Sequence, residues 1–269
     1  MTALASLILN TLIVVMKRKF HFYIPTIALT TFILLSASIC KAQSMQKKLP
    51  HFEKIIVSPH IELILEQGEE ESVVIKDVHV DEDRINVKVI GKTLRIYLDD
   101  AKTITQYKKT KEGDHKWKKP MYSGKKLTAH VTYKNLRKLS VRGEEDVIVL
   151  NEINAKKFRL KLYGEIKMNV ASMEVGKLRA TLYGENKVYI NGGSADSQVL
   201  VCYGENKVDA REFISKNTKT KSFGESELKL NVSKEIRVTA FGESEVSFVG
   251  DARVNRGIMI GENNIYEYY

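Results

Sequence analysis

Along residues 139–267 apolar side chains fall at alternate positions on either side of a recurring Gly-Glu pair. The pair begins at Gly143, Gly164, Gly184, Gly204, Gly224, Gly242 and Gly261, at intervals of 21, 20, 20, 20, 18 and 19 residues. Two residues before each glycine stand Val141, Leu162, Leu182, Cys202, Ser222, Ala240 and Met259; four after it stand Val147, Met168, Val188, Val208, Leu228, Val246 and Ile265. A period of two marks strands. A glycine between two strands fits a bend where φ is positive or a side chain has no room. Units of about twenty residues cannot bury a core singly. Stacked, they pair equivalent strands roughly 4.8 Å apart and line their inward side chains into columns. The pattern therefore predicts an all-β solenoid, a parallel β-helix with about 20-residue coils. The Leu/Asn pattern of leucine-rich repeats is absent.

Upstream the same alternation continues in shorter pieces: Ile61, Leu63 and Leu65, then Val73–Ile75, Ile85–Val89 and Leu94–Leu98, and again from Leu127 through Ala129 and Val131. Residues 101–126 break it. They are polar and lysine-rich with Gly113, Pro120 and Gly124, and predict a long surface loop. Around Thr218, Thr220 and Ser222 the inward positions turn small and polar, which predicts either a hydroxyl ladder or a locally shifted register.

Residues 1–42 differ in kind: they hold no Asp or Glu. Lys17, Arg18 and Lys19 precede an apolar run from Ile24, and Cys40-Lys41-Ala42 ends on a small residue. This is the layout of a cleaved signal peptide, with Met16 as a candidate start and Gln43 as the expected mature N-terminus. The run to Ile39 is short for a retained span of roughly 20 residues. Lipidation at Cys40 would follow a bulky Ile39. Residues 43–269 then form a single solenoid domain, with no transmembrane segment after cleavage.

Charge changes the picture in one place. The chain carries +10 overall. Cleavage would remove four basic residues and leave +6, all of it accounted for by the eight lysines of residues 108–126 set against Glu112 and Asp114. Basic charge confined to one segment argues against a nucleic-acid partner. One cysteine, Cys202, remains after cleavage, so no internal disulfide forms.

Three surface features are candidates. Tyr163, Tyr183, Tyr203, Phe223 and Phe241 precede successive glycines and form either a strip for sugar faces or a self-stacking structural column. The glutamates after the glycines form a row of like charges. Lys167, Lys187 and Lys207 can offset the first three, but Glu225, Glu227, Glu243 and Glu245 make a patch of four carboxylates, a solvated acidic face or a weak Ca²⁺ site. Trp117, the only tryptophan, lies among His115, Lys116, Lys118 and Lys119. Cations around an indole suit phosphates of lipopolysaccharide or an acidic glycan. The histidines 51, 60, 79, 115 and 130 show no metal-ligand spacing, and no nucleophile elbow or phosphate loop occurs. No catalytic set and no cofactor is expected.

The segments Phe52–Ser58, Ile61–Gly68, Leu127–Thr132 and Leu136–Val141, in that order ahead of the glycine turns, resemble the autotransporter adhesin head family, the GIN domain, across roughly residues 50–265. The resemblance implies a right-handed β-helix in the cell envelope or at the surface and brings no catalytic residues. The family's turn is usually Ser-Gly and a small residue; here it is Tyr/Phe-Gly-Glu. A non-enzymatic adhesin-like or structural binding module, in the periplasm or associated with the outer membrane or cell surface, is the first expectation. A carbohydrate-active β-helix enzyme acting on acidic polysaccharide is the second. Self-association by end-to-end stacking, with residues 265–269 as a cap or contact, is the third.

Overall fold

The computed structural model describes residues 45–112 and 115–268; the signal peptide expected in residues 1–42 lies outside them. The chain runs β1 (Met45–Lys48), β2 (Lys54–Val57), β3 (Ile61–Gln67), β4 (Ser72–Lys76), β5 (Ile85–Ile90), β6 (Thr93–Leu98), β7 (Tyr107–Glu112), β8 (His115–Pro120), β9 (Leu127–Tyr133) and β10 (Lys138–Gly143). The repeats follow as β11 (Val147–Gly164), β12 (Lys167–Gly184), β13 (Asn186–Ile190), β14 (Gly193–Tyr203), β15 (Asn206–Val249), β16 (Arg253–Ile260) and β17 (Asn263–Glu267). Among the described residues the only helical element is a 3₁₀ turn at Glu82–Arg84.

The architecture is a parallel β-solenoid. One row of stacked strands is β6-β2-β10-β11-β12-β14-β15-β16, in register along Ile96, Val57, Val141, Leu162, Leu182, Cys202 and Ser222. A second row starts β9-β3-β11-β12-β13-β15, through Ala129, Leu63, Val147, Met168, Val188 and Val208. All of these side chains are buried, and all but Ser222 belong to one hydrophobic core cluster along the stack. Burial of such columns, at about 25 cal/mol per Å² of apolar surface, is what holds units that have no core of their own.

The register at Thr218–Ser222 is not shifted. Thr218 pairs with Gln198, Thr220 with Leu200 and Ser222 with Cys202, and all three point inward and are buried. Thr218 bonds Ser215 and Gln198, and Ser222 accepts from Ser226 at 2.7 Å. The inward polar positions therefore bond through Thr218 and Ser222, while the buried Thr220 hydroxyl has no partner among the described residues.

The start of the stack is less regular. The coil beneath β2 and β3 is assembled from β6 and β9, which lie 39 and 66 residues later in the register pairs Lys54–Thr93 and Ile61–Leu127. Antiparallel strands then cover this end: β5 on β6, β4 on β9 and β1 on β4. The lysine-rich segment is not the loop its composition suggested. β7 and β8 form a separate two-stranded antiparallel sheet with Tyr107 opposite Pro120.

Candidate functional site

The turn column is built from the glycines. Gly143, Gly164, Gly184, Gly204, Gly224, Gly242 and Gly261 all have φ between 90° and 129°, where a Cβ is strained. A Cβ built on Gly204 or Gly224 would also sit 2.7 Å from the carbonyl oxygen of the glycine one coil below, and those on Gly164, Gly184, Gly242 and Gly261 would overlap it outright. Only glycine fits, because each bend lies directly over the last.

That spacing sets the aromatic rings. Tyr163–Tyr183, Tyr183–Tyr203, Tyr203–Phe223 and Phe223–Phe241 stack at 4.9, 4.8, 5.0 and 5.2 Å, within 8° of parallel. The Arg142 guanidinium covers the free face of Tyr163 at 4.6 Å. Ring faces inside the column are thus taken up by neighbouring rings, and edges and hydroxyls face solvent. Tyr163, Tyr183 and Tyr203 are brought together, in the geometry of a structural ladder worth about 0.5–1.5 kcal/mol per pair.

A second set of paired polar side chains lies inside the same bend, two residues after Gly184, Gly204, Gly224 and Gly242. Asn186 and Asn206 are fully buried. The Asn186 amide donates to Asn206 Oδ1 at 3.0 Å and to the Tyr183 carbonyl at 3.1 Å, and Asn206 donates to the Tyr203 carbonyl at 3.1 Å. In the next two coils Ser226 and Ser244 pair at the same position, oxygen to oxygen at 2.9 Å. Sequence reasoning missed these residues. The signal was present: the position has the inward phase of its apolar neighbours, yet reads Asn, Asn, Ser, Ser.

Glu225, Glu227, Glu243 and Glu245 line one concavity of about 230 Å³ together with Glu205 and Glu262. Glu227 is bonded to Lys229 at 2.7 Å, with Lys207 at 3.7 Å, and Lys229 foremost holds its carboxyl below the usual range. Glu245 accepts the Tyr266 hydroxyl. Among the described residues, no three acidic, histidine or cysteine side chains are placed to hold one metal ion together.

In the hairpin, Lys108 lies opposite Lys119, Lys109 opposite Lys118, and Trp117 opposite Thr110. Trp117 is 47% exposed. Like charges directly opposite each other weaken a two-stranded sheet. The side chains of His115 and Lys116 lie outside the described ones. The hairpin's base is tied to the solenoid by His60, whose φ of 74° is unusual for a side-chain-bearing residue. His60 Nδ1 donates to the Gly124 carbonyl at 2.9 Å, and Nε2 lies 2.6 Å from the Thr105 hydroxyl. The His60 carbonyl accepts the Lys126 N–H at 2.8 Å. One residue thereby grips both ends of the excursion. Thr105, His60 and Glu145 fall in the order of a nucleophile, a base and an orienting acid. However, Glu145 is 3.7 Å from Nδ1, beyond hydrogen bonding, and the Nδ1 proton is already given to Gly124. The array works as a clamp. Cys202, the one cysteine among the described residues, is buried, which pushes its thiol up to about 12 and leaves it unreactive.

A family model described as putative auto-transporter adhesin, head GIN domain, matches residues 51–252. The chain belongs to this family. Solved structures share the GIN-domain solenoid. A putative adhesin from Bacteroides fragilis NCTC 9343 superposes with a TM-score of 0.66 at 17% identity, covering 84% of this chain and 96% of that one. A putative adhesin from Parabacteroides distasonis ATCC 8503 gives 0.60 at 15%, with the same coverage. A putative lipid binding protein from that organism gives 0.55 at 15%, again covering 84% and 96%. At these identities the likeness shows the fold alone. No curated protein matches the chain. Within this GIN domain the aromatic column and the lysine hairpin meet at one place: Tyr163 and Tyr107 line a common cleft.

Proposed function

We propose that this GIN-domain chain is exported to the periplasm or the outer surface and acts there as an adhesin-like binding module without catalytic turnover. Its ligand is an anionic saccharide, a free acidic glycan or the phosphorylated sugar of lipopolysaccharide, held by hairpin β7–β8. The observation that carries this reading is the pairing of Lys108 with Lys119 on the face of the exposed Trp117, with Lys109 and Lys118 paired on the other face. Such a ribbon is electrostatically frustrated by itself and is relieved by an anion lying along it. The family's adhesin description supports the binding role. The lipid-binding protein among the structural neighbours makes a lipid-linked saccharide a sensible early ligand to try.

A glycan array with the purified chain, read alongside Trp117 fluorescence, tests this. Binding to acidic saccharides is expected, with emission that shifts on titration of lipopolysaccharide and an affinity that falls steeply with salt. Release of product from any polysaccharide would replace the module by a carbohydrate-active enzyme. Fluorescence indifferent to lipopolysaccharide and to every acidic glycan would remove the hairpin's role.

A further inference from the structure

The cleft at the hairpin's base has a volume of about 510 Å³, within the roughly 300–1,000 Å³ of small-ligand sites. One wall is Ile104 and Tyr107, exposed by 75% and 64%. Arg142, lying on Tyr163, also lines the cleft. The guanidinium sits over the Tyr163 ring, and among the described residues it has no hydrogen-bond or ion-pair partner. A planar fork of donors fixed beside an apolar wall suits one carboxylate and one ring, gripping the first bidentately and packing against the second. At its floor His60 bonds Thr105, and Glu145 accepts the Glu144 N–H at 3.1 Å.

Resting on the binding-module reading above, we infer that this cleft is the specificity site of the module and takes a sugar residue bearing a carboxylate, a uronic acid in an acidic glycan. Arg142 grips the carboxylate. Tyr107 and Ile104 pack against the sugar ring. Glu144, the exposed carboxylate of the cleft, accepts sugar hydroxyls and opposes densely phosphorylated ligands. The lysines of the hairpin supply attraction along the chain of the glycan without choosing among sugars, because point charges on flexible stems fix no geometry.

Isothermal titration with trigalacturonate, against galactotriose of equal length without carboxylates, tests the assignment. Trigalacturonate is expected to bind at least tenfold more tightly. Arg142→Gln and Tyr107→Ala each weaken it by tenfold or more, and Arg142→Lys restores only part because an ammonium lacks the fork. Unfolding midpoints are compared for every variant; should Arg142→Gln fail to fold, Tyr107→Ala, at an exposed position, carries the test. Equal affinity for the two trisaccharides overturns the cleft assignment, as does unchanged affinity in both variants. If that binding instead disappears in a Lys109→Gln/Lys118→Gln variant, the hairpin module stands and the cleft alone falls. If the unmodified chain ignores trigalacturonate and every other acidic saccharide, both fall.

Discussion

The regular coils from Gly164 to Val249 and the irregular start of the chain use the same kinds of side chain to opposite effect. In the coils each aromatic ring meets the next ring and each buried amide meets the next amide. Repetition spends recognition chemistry on the protein's own neighbours. At the start, strand order is broken, an excursion leaves and returns through His60, and Arg142 covers Tyr163 at the place where a further coil would have put another ring. Unlike side chains then face one another across a gap, and a cleft results. In a solenoid, rows are structure, and a site is more readily built where the row is interrupted.

The comparison breaks most sharply at glycine. Gly184 and Gly91 both have positive φ, 101° and 58°, but a Cβ on Gly184 overlaps the Gly164 carbonyl whereas Gly91 has nothing within 4 Å. Gly184→Ala is expected to cost about 3–5 kcal/mol, backbone strain plus a clash that two packed coils cannot relieve. Gly91→Ala should cost about 1 kcal/mol, from φ alone. Urea unfolding midpoints of the two variants separate these terms. Equal losses would mean that the coils are not stacked glycine on glycine.

Next in size is the buried amide ladder. Asn206→Ala removes the acceptor of the buried Asn186 amide and the donor to the part-buried Tyr203 carbonyl. A loss of about 2–3 kcal/mol is expected. In the Asn186→Ala/Asn206→Ala double variant the loss should be clearly less than the sum of the two single losses, since the shared bond is counted once. Strict additivity would show the two amides to be independent, and the ladder would be only an arrangement.

What the sequence discloses follows the same division. The coil spacing, the inward columns and the glycine bends were legible because each is a local pattern repeated at a fixed interval. The amide pair was missed although its signal, polar residues in an apolar phase, was present, and the structure shows Asn186 bonding Asn206. The hairpin was not legible: its strands lack apolar alternation and contain Pro120, so composition spoke for a loop. The cleft was hidden for a different reason. His60 meets Thr105 and Gly124 across 45 and 64 residues, and β6 and β9 slip beneath strands that precede them in the chain. No periodicity announces such contacts, because they are made once.

The smallest expected effect concerns the interrupted end and its dependence on pH. Glu62 on β3 accepts Lys125 at 2.8 Å and the Thr128 hydroxyl at 2.7 Å, tying the returning end of the excursion to the solenoid. The Lys125 hydrogen bond foremost, with Thr128 beside it, holds the Glu62 carboxyl below its ordinary value. A carboxyl depressed in the folded state adds stability above its unfolded pKa of roughly 4.3 and loses it as pH falls through the folded value. The pair is partly exposed, so the contribution should stay below about 1 kcal/mol and shrink with salt. Glu62→Gln is therefore expected to lower the unfolding midpoint slightly at pH 7, with the deficit closing as the pH drops below about 4. Along the regular coils, Asp196 is held down in the same way by Lys216 one coil away, but that pair lies on the outer surface and pins no excursion. Asp196→Asn should change stability at least as little and leave protease cleavage of the hairpin untouched, whereas Glu62→Gln should speed it. Equal cleavage rates in the two variants would mean that Glu62 does not help fasten the hairpin.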